Sequence, residues 1–180
     1  MRKIIAGAAI SCLLISLDVQ AQTLNDEEVR TQLLKDWERA KAYTVSYLNT
    51  VPSDKYSFRA TDSIRNFAQQ MLHLAQSNVN IIAFVAGEPN IISSPVLENN
   101  RTAQSKDSVM YYVMASYDLV IDGIRKMNTR TFSQKVKFYD WEETKYVWLL
   151  KAFEHQTHHR AQTTIYIRLM RLHPPQEQLF

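Results

Sequence analysis

"FEHQTHHRAQTTIYIRLMRLHPP", residues 153–175, contains no glycine and meets no proline before Pro174-Pro175. Such a stretch reads as the second half of a long helix stopped by proline. His155 and His159 stand four residues apart, so their side chains project from one face, one turn apart. Trp148, Ala152, Tyr166 and Met170 continue approximately that face, which turns it toward a core. Upstream, Asp140 and Glu143 have the spacing of a capping box, with aspartate in place of the usual hydroxyl residue. The spacing therefore predicts a helix from 140 to about 172, about 50 Å long at 1.5 Å per residue.

Working outward, the same periodicity recurs three more times. Asn25 caps a helix from 26 to 49, with Asp26, Glu27 and Glu28 at its positive end and Val29, Leu33, Trp37, Ala40, Tyr43 and Tyr47 at helical spacing. After Pro52 a polar connector leads to Thr61 or Asp62, either able to cap a helix from 63 to 85. Ile64, Phe67, Met71, Leu74 and Ala75 form its apolar stripe, His73 lies beside it, and Gly87 and Pro89 stop it. A third helix is expected from 106 to 127, with Gly123 near its end.

Between the second and third, "EPNIISSPVLENNRTAQS", residues 88–105, reads as a surface crossover with one short turn, a segment able to border a site. Before the fourth, residues 128–141 form a linker with a short extended piece. The chain has three glycines and no clear strand alternation, so the expected fold class is all-α, a four-helix bundle in one domain spanning 22–180.

The chain opens "MRKIIAGAAISCLLISLDVQAQ", with Arg2 and Lys3 before an apolar run and small residues at Val19-Gln20-Ala21. That pattern is a signal peptide over residues 1–21, and it predicts cleavage after Ala21 and a periplasmic or extracellular protein. The run is shorter than the roughly 20 residues that span a bilayer, and no later stretch qualifies, so no transmembrane helix is expected in the mature chain. Cys12, the sole cysteine, sits behind Ala9-Ile10-Ser11, a poor context for lipid attachment. A chain cut after Ala21 has no cysteine, which excludes disulfides and thiolate chemistry. Removing Arg2, Lys3 and Asp18 lowers the formal charge from +3 to +2, too little to point to nucleic acid or an anionic membrane.

A pair of imidazoles at i and i+4 can direct two nitrogens at one divalent ion, at about 2.0–2.1 Å for zinc. A third ligand would come from another helix. His73 is the histidine inside the other three, while His173 lies in the proline-terminated tail. His158 is about 100° around the helix from His159, and is expected at a helix contact or at the rim of a site. On spacing alone two readings stand side by side, since single histidines on amphipathic helices are commonly hydrogen-bonded core or boundary residues.

"SIRNFAQQMLHLAQSN", around His73, and the H-x3-H-R-small-Q pattern with Tyr-x-Arg and Pro-Pro, around His155 and His159, resemble the two histidine-bearing segments of the DinB-like superfamily. The resemblance spans residues 22–180 in order and length. It implies an up-down-down-up four-helix bundle, a homodimer, and a divalent metal ion, zinc or nickel, bound by His73, His155 and His159 with water in the remaining positions. Ala161 stands where the family usually has glycine, a helix-compatible change.

Three neutral imidazoles leave an ion its charge and an open position, so a metal-dependent hydrolase of an unidentified small substrate is the first expectation. Its catalytic residues are unknown: Glu154 is expected to point away, and Asn80, Gln162 and Tyr166 lie one or two turns from a ligand. A metal-binding protein without catalysis and a structural or interaction bundle are the alternatives. Thiol transfer, known among relatives, fits an exported protein poorly because low-molecular-weight thiols belong to reducing compartments. Trp37, Tyr43, Trp141, Tyr146 and Trp148 read as core more than as pocket lining, and Arg160 and Arg168 as a solvated or salt-bridged face.

Overall fold

Asn25 opens the first helix as a capping box: its side chain accepts from Glu28 N at 2.9 Å and Glu28 Oε2 accepts from Asn25 N at 3.0 Å. The computed structural model describes residues 25–92 and 95–180. The signal peptide, its cleavage after Ala21 and Cys12 lie outside the described residues. Four helices follow, α1 (Asp26–Thr50), α2 (Phe67–Ala86), α3 (Lys106–Lys126) and α4 (Lys145–Leu169), with a hairpin of β1 (Lys135–Phe138) and β2 (Trp141–Thr144) before the last. The fold is the expected all-α bundle. Among the described residues no helix is long and apolar enough to cross a membrane.

Two helix starts differ from the sequence expectation. α2 begins at Asn66, not at Thr61 or Asp62, because Asn66 forms a capping box with Gln69. The connector also reaches α2's first donors, Phe67 N giving to Phe58 O and Ala68 N to Tyr56 O, each at 2.9 Å. Both helix N–H groups are thereby satisfied by the preceding loop, and Ile64 is left outside the helix, 38% exposed. α4 begins at Lys145, capped by Thr144, because residues 141–144 pair with β1 in the register Lys135↔Thr144 to Phe138↔Trp141. The helix is therefore about 37 Å long, not 50. The hairpin presses Phe138 against Phe84 and Trp148, at 4.8 and 5.6 Å between centroids, and leaves Trp141 67% exposed at the turn, against the core role expected of it.

Contacts along the helices fix their directions. Thr44 meets Tyr117 and Glu38 meets Arg125, so α1 and α3 are antiparallel. Trp37 packs on Phe153 and Tyr47 bonds Thr164, so α1 and α4 are parallel. His73 meets His155 and Phe84 meets Trp148, so α2 and α4 are antiparallel. The order up-down-down-up follows. α2 and α3 run side by side in parallel, and a Cβ on Gly123 would stand 2.7 Å from Ile82 Cγ1, which explains a glycine inside α3.

Arg160 is not on a solvated or salt-bridged face. It is 5% exposed, its Nη1 donates to Gln156 Oε1 at 3.0 Å and to Ala40 O and Thr44 Oγ1 at 3.4 Å, and it lies over the Tyr43 ring. Adjacent to His159, it points the other way, into the α1 side of the core. The buried guanidinium is paid in hydrogen bonds instead of by a carboxylate.

Candidate metal centre

His73 is one turn beyond Gln70 on α2, and His155 and His159 are successive turns of α4; the antiparallel packing of the two helices brings the three rings together. Their centroids lie 5.3 Å (His73 to His155), 4.6 Å (His73 to His159) and 4.4 Å (His155 to His159) apart. One nitrogen from each falls within 4.8 Å of the other two. His159 is buried; the other two are half-buried.

Each flanking contact leaves a lone pair for the centre. His73 Nδ1 donates to Glu98 Oε2 at 2.9 Å, which leaves Nε2 unprotonated. His159 Nδ1 donates to Gln70 Oε1 at 3.2 Å, an orientation fixed because the Gln70 amide nitrogen gives to Gln162 Oε1. His159 Nε2 then faces His155 Nε2 at 3.1 Å. If His155 carries its proton on Nδ1, two lone pairs confront each other; if on Nε2, the pair is bonded but Nδ1 is a bare acceptor. His155 Nδ1 is buried with no hydrogen-bond partner among the described residues. A cation accepting both Nε2 lone pairs relieves the confrontation, so the donor set fits a divalent metal ion.

The electrostatics point the same way. Burial, then the neighbouring His155, His73 and His158 and the Arg65 charge, lower His159 to about 3. Burial, then His73, His158 and Arg65, lower His155 to about 4. Burial and Arg65 lower His73, with Glu98 opposing. All three imidazoles are held neutral, the form that ligates a metal.

Glu98 was not anticipated from sequence. It sits in the crossover, in a turn at Leu97–Asn99 that is pinned by buried Leu97, by Gln76 Oε1 accepting from Leu97 N at 2.8 Å, and by Gln104 Nε2 donating to Glu98 O at 2.8 Å. The crossover does border the site, and it holds two short helical turns instead of one. Gln70 was also missed, although its i, i+3 relation to His73 places it on the same face. Arg65 is the third, with Nε donating to Glu98 Oε2 at 2.8 Å.

Of the other residues weighed, His158 is exposed and lies at the rim as expected, 2.9 Å from Gln162 Nε2. Glu154 points away and pairs with Lys151. Asn80 accepts from Asn90 and is not drawn into the cluster, and His173 stays in the exposed tail. Gln162 and Tyr166 line a cleft of about 690 Å³ that opens beside His159 and is bounded also by Ser63, Ile64, Arg65, Glu98, His158 and Ile165.

No curated protein matches the chain. Among solved structures, a DinB-like protein from Bacillus cereus shares 16% identity and a TM-score of 0.68, covering 82% of this chain and 97% of its own. A DinB-like protein from Bacillus subtilis shares 15% identity and a TM-score of 0.62, covering 83% and 96%. At that identity the likeness is one of fold. The sequence profile of the DinB family matches residues 21–179, a span that contains the whole bundle and all three clustered histidines, and the chain belongs to the DinB family.

Proposed function

We propose that His73, His155 and His159 hold one divalent ion, zinc or nickel, and that the protein uses it to hydrolyse a small substrate in the adjoining cleft. The observation that carries this reading is the three-nitrogen cluster with a wall on an open cleft. A divalent ion bound there supplies Lewis acidity toward a carbonyl or phosphoryl oxygen and lowers the pKa of a coordinated water. Glu98 orients His73, Gln70 orients His159, and Gln162 ties the Gln70 amide to the α4 side of the cleft. His158 stands at the rim of the cleft, its Nε2 2.9 Å from the Gln162 amide nitrogen. The signal-peptide pattern of residues 1–21 supports an activity in the periplasm or outside the cell, and the DinB-like resemblance supports a homodimer.

One observation favours a second reading, in which the ion is held without turnover. Glu98, the carboxylate against the cluster, is engaged by both His73 and Arg65 and is not free to act as a base. The two readings part on one experiment. Protein made without a histidine tag is assayed for metal and for turnover of ester, amide, phosphoester and lactone substrates. Stoichiometric metal with turnover, lost in His155→Ala, supports hydrolysis; stoichiometric metal without turnover supports the second reading; no metal overturns both. Intact-mass measurement of the exported protein checks cleavage after Ala21, and sedimentation checks the dimer.

A further inference from the structure

The cleft beside the histidines is unevenly furnished. Its one carboxylate, Glu98, has a side chain only 15% exposed and faces inward to His73 and Arg65. Of its other polar groups, the Tyr166 hydroxyl already donates to Arg65 O and the Gln162 amide nitrogen lies on His158 Nε2, while the Arg65 guanidinium, with a side chain 39% exposed, is the cleft's one fixed cation. Ile64 and Ile165, 38% and 57% exposed, supply an apolar edge.

Arg65 is held from both ends. Its carbonyl accepts from the Tyr166 hydroxyl at 2.8 Å, the next residue caps α2, and its Nε is fixed by Glu98. Fixing a guanidinium by Nε leaves its outer edge, with the Nη groups, as donors in a planar fork suited to a carboxylate or phosphate. Arg65 Nε and His73 Nδ1 share one Glu98 oxygen, at 2.8 and 2.9 Å, so the guanidinium stands one carboxylate away from the histidine cluster. An imidazole that ligates a metal is neutral, and Glu98 is the one carboxylate lining the cleft, set against the Arg65 guanidinium. With a divalent ion in place the cleft therefore has an uncompensated positive charge.

We infer that Arg65 is a substrate-recognition residue, and that the cleft takes a small anionic molecule whose carboxylate or phosphate group lies on the Arg65 fork, with a short aliphatic portion against Ile64 and Ile165. The inference rests on the metal reading above and narrows it to a substrate class. Uncharged esters and amides are then poor ligands.

The test is binding, not turnover. Nickel-loaded wild-type protein, Arg65→Gln and Arg65→Lys are each assayed for metal content and then titrated calorimetrically with inorganic phosphate, acetate and 4-methylpentanoate. Wild type is expected to bind phosphate or a carboxylate, and 4-methylpentanoate more tightly than acetate if the carboxylate class is correct. Arg65→Gln is expected to keep its nickel and lose roughly ten- to hundred-fold in anion affinity, the scale of a charge-assisted pair, with Arg65→Lys between the two. Equal anion affinity in Arg65→Gln with nickel intact overturns the inference, since the anion then sees the ion alone. So does a nickel-loaded wild type that binds none of the three probes, or loss of nickel from both variants, which would make Arg65 a positioning residue for Glu98. Absence of nickel from wild type is the separate failure of the metal reading itself.

Discussion

At the scale of single residues, the cluster depends on groups that are not ligands. Glu98 and Gln70 each fix one imidazole by its Nδ1 and so choose which nitrogen is offered. Outer partners of metal-bound histidine commonly contribute about 10–100-fold in affinity. Glu98→Gln is therefore expected to weaken zinc binding about 10–100-fold while leaving the stoichiometry at one, as read by competition with a chromogenic chelator. Glu154→Gln, a change on the exposed face next to His155, is expected to leave the affinity unchanged in the same assay. The buried Arg160 behaves differently from either. Gln156 Oε1 accepts from both the Arg160 guanidinium and the Tyr117 hydroxyl, so Gln156→Leu strips an acceptor from a buried cation. The expected loss is about 1.5–3 kcal/mol in urea unfolding, the range for a hydrogen bond to a charged group.

At the scale of elements, α2 and α3 approach closely because Gly123 has no side chain to meet Ile82. Gly123→Val is expected to cost about 1–3 kcal/mol through overpacking, visible as a lower urea midpoint at unchanged slope. The periodicity of all four helices was legible in sequence, since each needs an apolar face that recurs at three and four residues. Two of their starts were not. Thr61 and Asp62 have the right chemistry for a cap, but Asn66 with Gln69 has it too, and the carbonyls of Tyr56 and Phe58 decide between them. At α4 the Asp140 and Glu143 spacing competes with a hairpin, and the packing of Phe138 on Phe84 and Trp148 favours the hairpin.

At the scale of the whole molecule, the cluster joins helices that are distant in sequence, so its ionisation and its occupancy bear on global stability. Chelation is expected to lower the melting temperature, because an ion that binds only the folded form stabilises it, by about 2.7 kcal/mol at a free concentration 100 times Kd. The metal-free protein has its own pH response. His155 at about 4 and His159 at about 3 lie below the unfolded value of about 6.5, so the unfolded chain takes up protons first. Their contribution to stability is complete above about 6.5 and is lost as the pH falls through the range down to the folded values. Urea midpoints of the chelated protein are expected to fall between pH 7 and pH 5, and the His155→Gln, His159→Gln double variant to show a shallower fall.

By itself the sequence determined the helical class, the face that carries His155 and His159, and the candidate partnership with His73. Those follow from local rules, the 3.6-residue repeat and the reach of a side chain along one helix, together with a family resemblance carried by the same residues. Only the tertiary structure decided what surrounds the cluster. Glu98 reaches His73 through an irregular crossover, Arg65 reaches Glu98 from outside α2, and Arg160 turns into the core although it adjoins a candidate ligand. No periodicity governs such contacts, because they depend on where a loop lands and on which side of a helix meets a neighbour.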